Sequence, residues 1–359
     1  MSALLETVDP DGLMEFSVVF TDRSLNHMSQ QFQGIMRDIS STMASVYNAS
    51  SVAMVPGGGT YAMEAVARQF AKGKQVLVVR NGWFSYRWSQ IIETGGITAS
   101  AEVMKARRPG NAKGAAFAPA PIDEVTAKIR ETNPAVVFAP HVETSAGVIL
   151  PDDYIAQMSA AAHEVGALIV LDCIASGCIW IDMKDLGVDV LISAPQKGWS
   201  ATPSAGLVML SDRAAARLEE TTSDSFAMNL KQWRGIMAAY ENGGHAYHAT
   251  MPTDGIKHFH SAMKEAEGIG FEVLKARQQE LGEKVRALAA EQGFSSVAAD
   301  GFGAPGVVVS YTDDPDIKTG KKFAALGLQI AAGVPLACDE GDDYSTFRLG
   351  LPSLQNESV

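Results

Sequence analysis

Cysteine is scarce in this chain. Three occur in 359 residues, Cys173, Cys178 and Cys338, and none forms a Cys-x-x-Cys pair. An odd, sparse set is no disulfide framework, so a reducing compartment is expected. Long apolar runs are missing as well. No stretch approaches the roughly 20 residues that span a bilayer. The opening Met1-Ser-Ala-Leu-Leu-Glu-Thr-Val-Asp-Pro10 lacks the basic start and apolar centre of a secretory signal. These absences lead to an expectation of a soluble cytoplasmic protein. Positive charge is in deficit, with 29 Lys and Arg against 41 Asp and Glu and a net charge of -12. Nucleic acid and anionic membrane both call for a basic patch, so neither is an expected partner. A small anion in a locally positive pocket stays compatible with the acidity.

What is present has an ordinary globular balance, 47% apolar and 19% charged. The length suggests two domains. Short apolar runs alternate with helical patterns between about residues 50 and 210. Strands are expected at 51–55, 75–79, 135–139, 167–171 and 188–192, and helices at 60–70, 85–93 and 154–165. Strands without polar alternation belong to a sheet covered on both faces, and their alternation with helices predicts a mostly parallel sheet. After Pro252 the pattern changes to one or two long helices over 256–292, a strand at 306–310 and a helix near 323–328.

Three segments carry chemistry. Pro56-Gly57-Gly58-Gly59-Thr60-Tyr61 sets three glycines between a strand and a helix. Glycine admits a close ligand and a helix N-terminus attracts an anion, so a phosphate is one natural guest and a plain tight turn the other reading. Gly57 to Ala62 also fits the G-x-G-x-x-G/A dinucleotide fingerprint, and Arg80 at the next strand end would suit the 2′-phosphate of NADP. Asp172 ends an apolar strand, where open α/β sheets bind ligands. A carboxylate there pairs with a protonated pyridine nitrogen, or serves as a cap or salt bridge. Lys197 follows the next strand, in Ser193-Ala-Pro-Gln-Lys197-Gly-Trp199. Desolvation lowers a lysine's pKa and makes it a nucleophile able to form an imine, the alternative being a solvated surface charge. Because Asp172 and Lys197 end successive strands, both are expected to face one crevice.

With these segments in order, the sequence resembles the class V (fold-type I) pyridoxal-phosphate aminotransferases, in the alanine–glyoxylate and serine–pyruvate branch. The resemblance covers roughly residues 25 to 350. It implies an α/β fold, with a mostly parallel central sheet covered by helices and a smaller C-terminal α+β domain. The expected divisions are an N-terminal segment 1–24, a large cofactor domain 25–251 and a small domain 252–359. Gly58, Gly59 and Thr60 look like the loop that cups the phosphate of pyridoxal 5′-phosphate. Phe84, in Asn81-Gly-Trp-Phe84-Ser-Tyr-Arg87, resembles the aromatic stacked on the ring. In Glu143-Thr144-Ser145-Ala-Gly147, Thr144 or Ser145 would contact the cofactor's ring hydroxyl or the substrate. Asp172 matches the pyridinium partner, Lys197 the lysine holding the cofactor as an imine, and Gln196 a residue near the phosphate. Tyr247 and Thr250, in Tyr247-His-Ala-Thr250, resemble a segment reaching the phosphate of a neighbouring subunit, which implies a homodimer with the active site at its interface. Arg348 resembles the late arginine that grips a substrate carboxylate. The implied reaction is ping-pong transfer of an amino group from alanine or serine to glyoxylate or pyruvate, with a 2-aminoethylphosphonate transaminase as a close alternative.

Other readings compete. Cysteine desulfurases share the fold and carry a nucleophilic cysteine shortly before the late arginine, as Cys338 stands here, but Gln196 and Phe84 occupy positions where those enzymes have histidines. His245, His248, His258 and His260 cluster in sequence without a standard zinc spacing, and no metal is expected. A fold that has lost catalysis is a third possibility, countered by the presence of Lys197 and Asp172. The family's Gly-Pro-rich N-terminal stretch is replaced here by Asp9-Pro10-Asp11-Gly12, and Gly333–Gly341 matches no family segment.

Overall fold

The computed structural model describes residues 24–109, 114–342 and 344–351. The stretch around Asp9-Pro10 and all but the last residue of the expected N-terminal segment therefore lie outside the described residues. In chain order the elements are α1 (Gln30–Tyr47), β1 (Ser51–Pro56), α2 (Gly59–Phe70), β2 (Val76–Arg80), α3 (Trp83–Thr94), β3 (Ala101–Lys105), α4 (Ile122–Thr132), β4 (Val136–Pro140), β5 (Val142–Glu143), β6 (Val148–Ile149), α5 (Asp152–Glu164) and β7 (Leu168–Asp172). There follow α6 (Met183–Leu186), β8 (Val190–Ser193), β9 (Ala205–Leu210), α7 (Asp212–Glu220), α8 (Leu230–Glu241), α9 (Thr253–Ile269), α10 (Phe271–Glu291), β10 (Val307–Tyr311), α11 (Pro315–Lys318), α12 (Lys321–Ala324), β11 (Ala331–Ala332) and β12 (Thr346–Gly350).

The large sheet has the order β1-β9-β8-β7-β4-β2-β3. Its pairs β2/β3, β2/β4, β4/β7 and β7/β8 are parallel. Strand β9 runs antiparallel to both β8 and β1. Two reversals restore direction, so β1 points the same way as the parallel strands. The carboxyl ends of β1, β2, β4, β7 and β8 therefore lie along one edge of the sheet, where such sheets bind ligands. Every residue of β2, β4 and β7 is buried, as the absence of polar alternation requires of a doubly covered sheet.

The topology removes the dinucleotide reading. That fingerprint belongs to a strand paired in parallel within a βαβ unit. Strand β1 is instead an edge strand paired antiparallel, and β2 is not its neighbour. Arg80 is likewise engaged elsewhere: Nη2 donates to Ser89 Oγ at 2.7 Å and Nη1 to the Ala337 carbonyl at 3.2 Å.

Helix α1 starts where Ser29 Oγ accepts the Phe32 N–H. Its buried Phe32, Ile35, Met36, Ile39 and Met43 recur at helical spacing and join the core of the large sheet. The expected long helical region divides at Gly270, whose φ of 100° suits glycine alone, into α9 and α10. The expected domain division at 252 falls just before α9, yet Ile256, Phe259, Met263 and Ala266 of that helix sit in the large core. A second core joins Val297, Val307, Val309 and Leu336 to Phe117, Val142 and Val148. It lies under the small antiparallel sheet β10-β12-β11. The helix expected near 323–328 is the single turn α12, after which Ala325–Leu328 curl away. Among the described residues, no helix is long and apolar enough to cross a membrane.

Candidate active site

A cavity of about 230 Å³ opens at the shared edge of the strand ends. The start of α2 contributes Gly59 and Thr60, the start of α3 contributes Phe84 and Arg87, and β5 leads into Thr144. Asp172 comes from the end of β7, and Gln196 and Lys197 from the loop after β8. The two strand-end residues expected to share a crevice thus line the same one.

The glycines owe their identity to packing as much as to any ligand. Gly57 has φ 118°, and a Cβ there would meet the Tyr61 ring at 2.7 Å. A Cβ on Gly59 would lie 2.4 Å from Ile174 Cδ1. Gly58, by contrast, has nothing within 4 Å of a built Cβ, so the backbone before α2 borders open space. Gly58 itself does not line the cavity, but Gly59 and Thr60, which open α2, do, so the N–H end of that helix borders it.

The Glu143-Thr144-Ser145 segment divides its duties. Glu143 is fully buried. Its Oε1 accepts the N–H of Phe84 at 3.1 Å, and its Oε2 accepts the N–H and the hydroxyl of Ser85 at 2.9 and 2.7 Å. Ser145 Oγ accepts the Trp83 N–H at 2.9 Å and donates to Glu143 Oε1 at 2.7 Å. Both side chains thus satisfy orphan N–H groups at the start of α3, and the acid complements the positive end of its dipole. Gly82 is obligatory here, since a Cβ would fall 2.1 Å from Ser145 Oγ. Ser145, expected as a substrate contact, is turned to the α3 cap and does not line the cavity; Thr144 does. This cap is what sequence reasoning missed, because its halves lie 58 and 59 residues apart.

Asp172 accepts the Ile174 N–H at 2.9 Å. Burial pushes its carboxyl up to about 7, opposed by that N–H and by the charges of Arg87 and Lys197, while the charge of Glu143 adds to the rise. An acid this reluctant to ionise in the protein alone is matched to a cationic donor brought by a ligand. Lys197 stands at the cavity mouth on a loop fixed from behind. The fully buried Trp199 sits among Tyr47, Trp180, Phe259 and Phe271. A Cβ on Gly198 would lie 2.0 Å from the Gly177 carbonyl oxygen. Gln196 has its Oε1 buried without a protein partner, a state that a bound ligand would relieve.

Arg348, on β12, reaches this region from the small sheet. Its Nε donates to the Ala332 carbonyl at 2.9 Å and its Cζ lies 5.7 Å from the Phe84 ring centre. Arg87 approaches the same ring at 5.5 Å. Arg87 lines the cavity and had no assigned role in the sequence reading. Its meaning depends on Thr60, which its Nη1 contacts at 3.2 Å.

The remaining candidates lie apart. Tyr247 is 59% exposed, and its hydroxyl meets Thr250 Oγ1 at 3.3 Å, away from the cavity lining of this chain. Cys338 is buried, faces a different and larger depression of about 720 Å³, and its thiol is pushed up to about 12 by burial first and by Glu143 and Glu340 next. A nucleophilic cysteine needs the opposite shift. The four clustered histidines disperse. His248 bonds the Phe226 carbonyl oxygen, His258 bonds Thr202, His260 bonds Asp38, and His245 lies edge-on to His27.

Comparison with known proteins agrees with this geometry. The family model for aminotransferase class V matches residues 14–300. Alanine–glyoxylate aminotransferase 1 of Saccharomyces cerevisiae is 27% identical over 259 residues, covering 67% of this chain and 64% of the yeast protein. The chain thus spans less than two thirds of that relative's length. The soluble hydrogenase small subunit of a Synechococcus strain is 26% identical over 79% of this chain and 71% of its own. Among solved structures, the alanine–glyoxylate aminotransferase of a Nostoc species superposes with a TM-score of 0.78 at 21% identity, over 92% of this chain and 84% of that one. The architecture is therefore the one expected, fold type I with a mostly parallel sheet. The matched segment runs from before α1 to beyond the end of α10 and holds every cavity-lining residue, and the chain belongs to the class V aminotransferase family.

Proposed function

We propose that this protein is a pyridoxal-phosphate-dependent aminotransferase that moves an amino group from a small amino acid, alanine or serine, to a 2-oxo acid such as glyoxylate or pyruvate. The observation that carries the reading is the meeting of Asp172 and Lys197 in one cavity beside Phe84 and Thr144. The residues fit the cofactor. A buried acid awaits a cationic ring nitrogen, an amine stands at the mouth, an aromatic ring borders the space, and a helix N-terminus offers donors to a phosphate. Class V aminotransferases of this fold are pyridoxal phosphate enzymes. When bound, the cofactor supplies a carbonyl that captures the amino group and a ring that spreads the electrons left on the substrate's α-carbon.

The chain's own residues do the rest. Asp172 keeps a proton on the ring nitrogen. Lys197 would hold the cofactor, and its Nζ, when free, would move the proton at the substrate α-carbon in a ping-pong cycle. Phe84 would support the cofactor's ring, Thr144 would contact it, and Gln196 with Gly58, Gly59 and Thr60 would hold its phosphate. Arg348 has Nε tethered to Ala332, which leaves its terminal nitrogens for a bidentate grip on the substrate carboxylate. Exposed Tyr247 and Thr250 reach the phosphate of a second copy, so the working form is a homodimer, with a cytoplasmic location expected from the free cysteines. The yeast relative's name supports alanine and glyoxylate as first substrates. Lys197→Ala tests the reading: amino transfer from alanine to glyoxylate is expected to fall about a thousandfold or more, and turnover at the wild-type rate would end it.

A further inference from the structure

We infer that Arg87 is the cation that anchors the cofactor's phosphate, an assignment that rests on the pyridoxal phosphate reading above. Its position is set by two contacts. Nη1 donates to Thr60 Oγ1 at 3.2 Å, so the guanidinium reaches from α3 across to the first turn of α2. Its Cζ lies 5.5 Å from the ring centre of Phe84, one helical turn back on the same face. It lines the cavity, and among the described lining residues the cations are Arg87 and Lys197.

Charge accounting then assigns the role. Lys197 Nζ is committed to the cofactor's carbonyl carbon, and Asp172 to its ring nitrogen. The phosphate, with a charge between about -1.5 and -2, otherwise meets the partial charge of the α2 N-terminus, the Thr60 hydroxyl, the Gln196 amide and the hydroxyls of Tyr247 and Thr250 from a second copy, none of which carries a full positive charge. A guanidinium adds charge-assisted hydrogen bonds, each about twice as strong as a neutral one. Arg87 supplies the missing charge, in a planar fork that matches two phosphate oxygens. Its bond to Thr60 holds that fork at the phosphate end rather than at the substrate. The two arginines that meet the Phe84 ring thus divide by their tethers. Arg87 is tied to Thr60 of α2, and Arg348 to Ala332 of the small sheet.

The test compares two ligands that differ only in the phosphate. The purified protein is stripped of cofactor and titrated with pyridoxal phosphate and with pyridoxal, followed by absorbance and equilibrium dialysis. The ratio of the two dissociation constants measures what the phosphate contributes. Arg87→Met is expected to reduce that ratio about tenfold or more, weakening pyridoxal phosphate far more than pyridoxal, and Arg87→Lys to retain part of it. Thermal unfolding of both cofactor-free variants checks that the fold survives, and the Lys variant keeps the test open should the Met variant fail to fold. An unchanged ratio, or a parallel loss of both ligands, overturns the assignment. If the wild-type protein binds neither compound, the pyridoxal phosphate reading falls with it; an intact ratio in a cofactor-binding Arg87→Met protein removes the Arg87 assignment alone.

Discussion

The carboxylate of Glu143 accepts the backbone N–H of Phe84 at 3.1 Å across 59 residues of sequence. The aromatic ring bordering the cavity is thus positioned by a fully buried acid that never faces the cavity itself. Glu143→Ala would leave the N–H groups of Phe84, Ser85 and Ser145 without their acceptor. A loss of about 3 kcal/mol or more is expected, since each buried donor left unpaired costs about 1–3 kcal/mol. Glu143→Gln keeps one oxygen acceptor and should lose less. Urea denaturation of the two variants checks both the size and the order.

Asp172 makes stability depend on pH in the cofactor-free protein. Its folded-state value of about 7 lies above the 3.8 of a free aspartate, so between these limits the folded protein binds the extra proton. The stability this group contributes is therefore present in full below about pH 4 and is lost as pH rises through about 7. Asp172→Asn removes that loss. The stability of the variant relative to wild type should rise by about 2 kcal/mol or more between pH 4 and pH 8. Denaturant titrations of both cofactor-free proteins at the two pH values measure it, and a flat difference would contradict the burial argument.

How much of this was legible in the sequence varies by element. Strands β2, β4 and β7 could be read because double burial leaves uninterrupted apolar runs. Strand β9 is just as apolar, yet its antiparallel direction is decided by its neighbours β1 and β8, and nothing in Ala205–Leu210 encodes it. Helix α1 carries a clear helical stripe that went unread. Asp172 and Lys197 were legible because Asp172 ends one recognisable strand and Lys197 closely follows the next. The duties of Glu143, Ser145 and Arg87 were not, since each is defined by a partner that only the fold brings near.

Cys338 separates amino transfer from desulfuration. Its thiol is buried and pushed up to about 12, so it is a packing residue beside the Arg80 carbonyl. Cys338→Ala should keep amino transfer within about twofold of wild type and cost about 1 kcal/mol of stability through the lost contacts. Sulfide release from cysteine that disappears in this variant would reverse the conclusion.

Tyr247 and Thr250 carry the prediction of a shared site. Both are exposed in the single chain and bonded to each other. A Tyr247→Phe, Thr250→Ala double variant should bind pyridoxal phosphate about tenfold more weakly than wild type, with unaltered far-ultraviolet circular dichroism. If the proposed dimer forms, cofactor retention should also fall as dilution dissociates it. Sedimentation at graded concentrations, read at the protein and cofactor wavelengths together, tests this. Cofactor that stays bound to a monomer would contradict it.

The visible absorption spectrum of the purified protein tests the central claim most directly. A yellow band from cofactor bound at Lys197 is expected, which fades when L-alanine or L-serine is added and returns with glyoxylate. A protein that shows no such band even after pyridoxal phosphate is supplied, or whose band responds only to cysteine with release of sulfide, would contradict that claim.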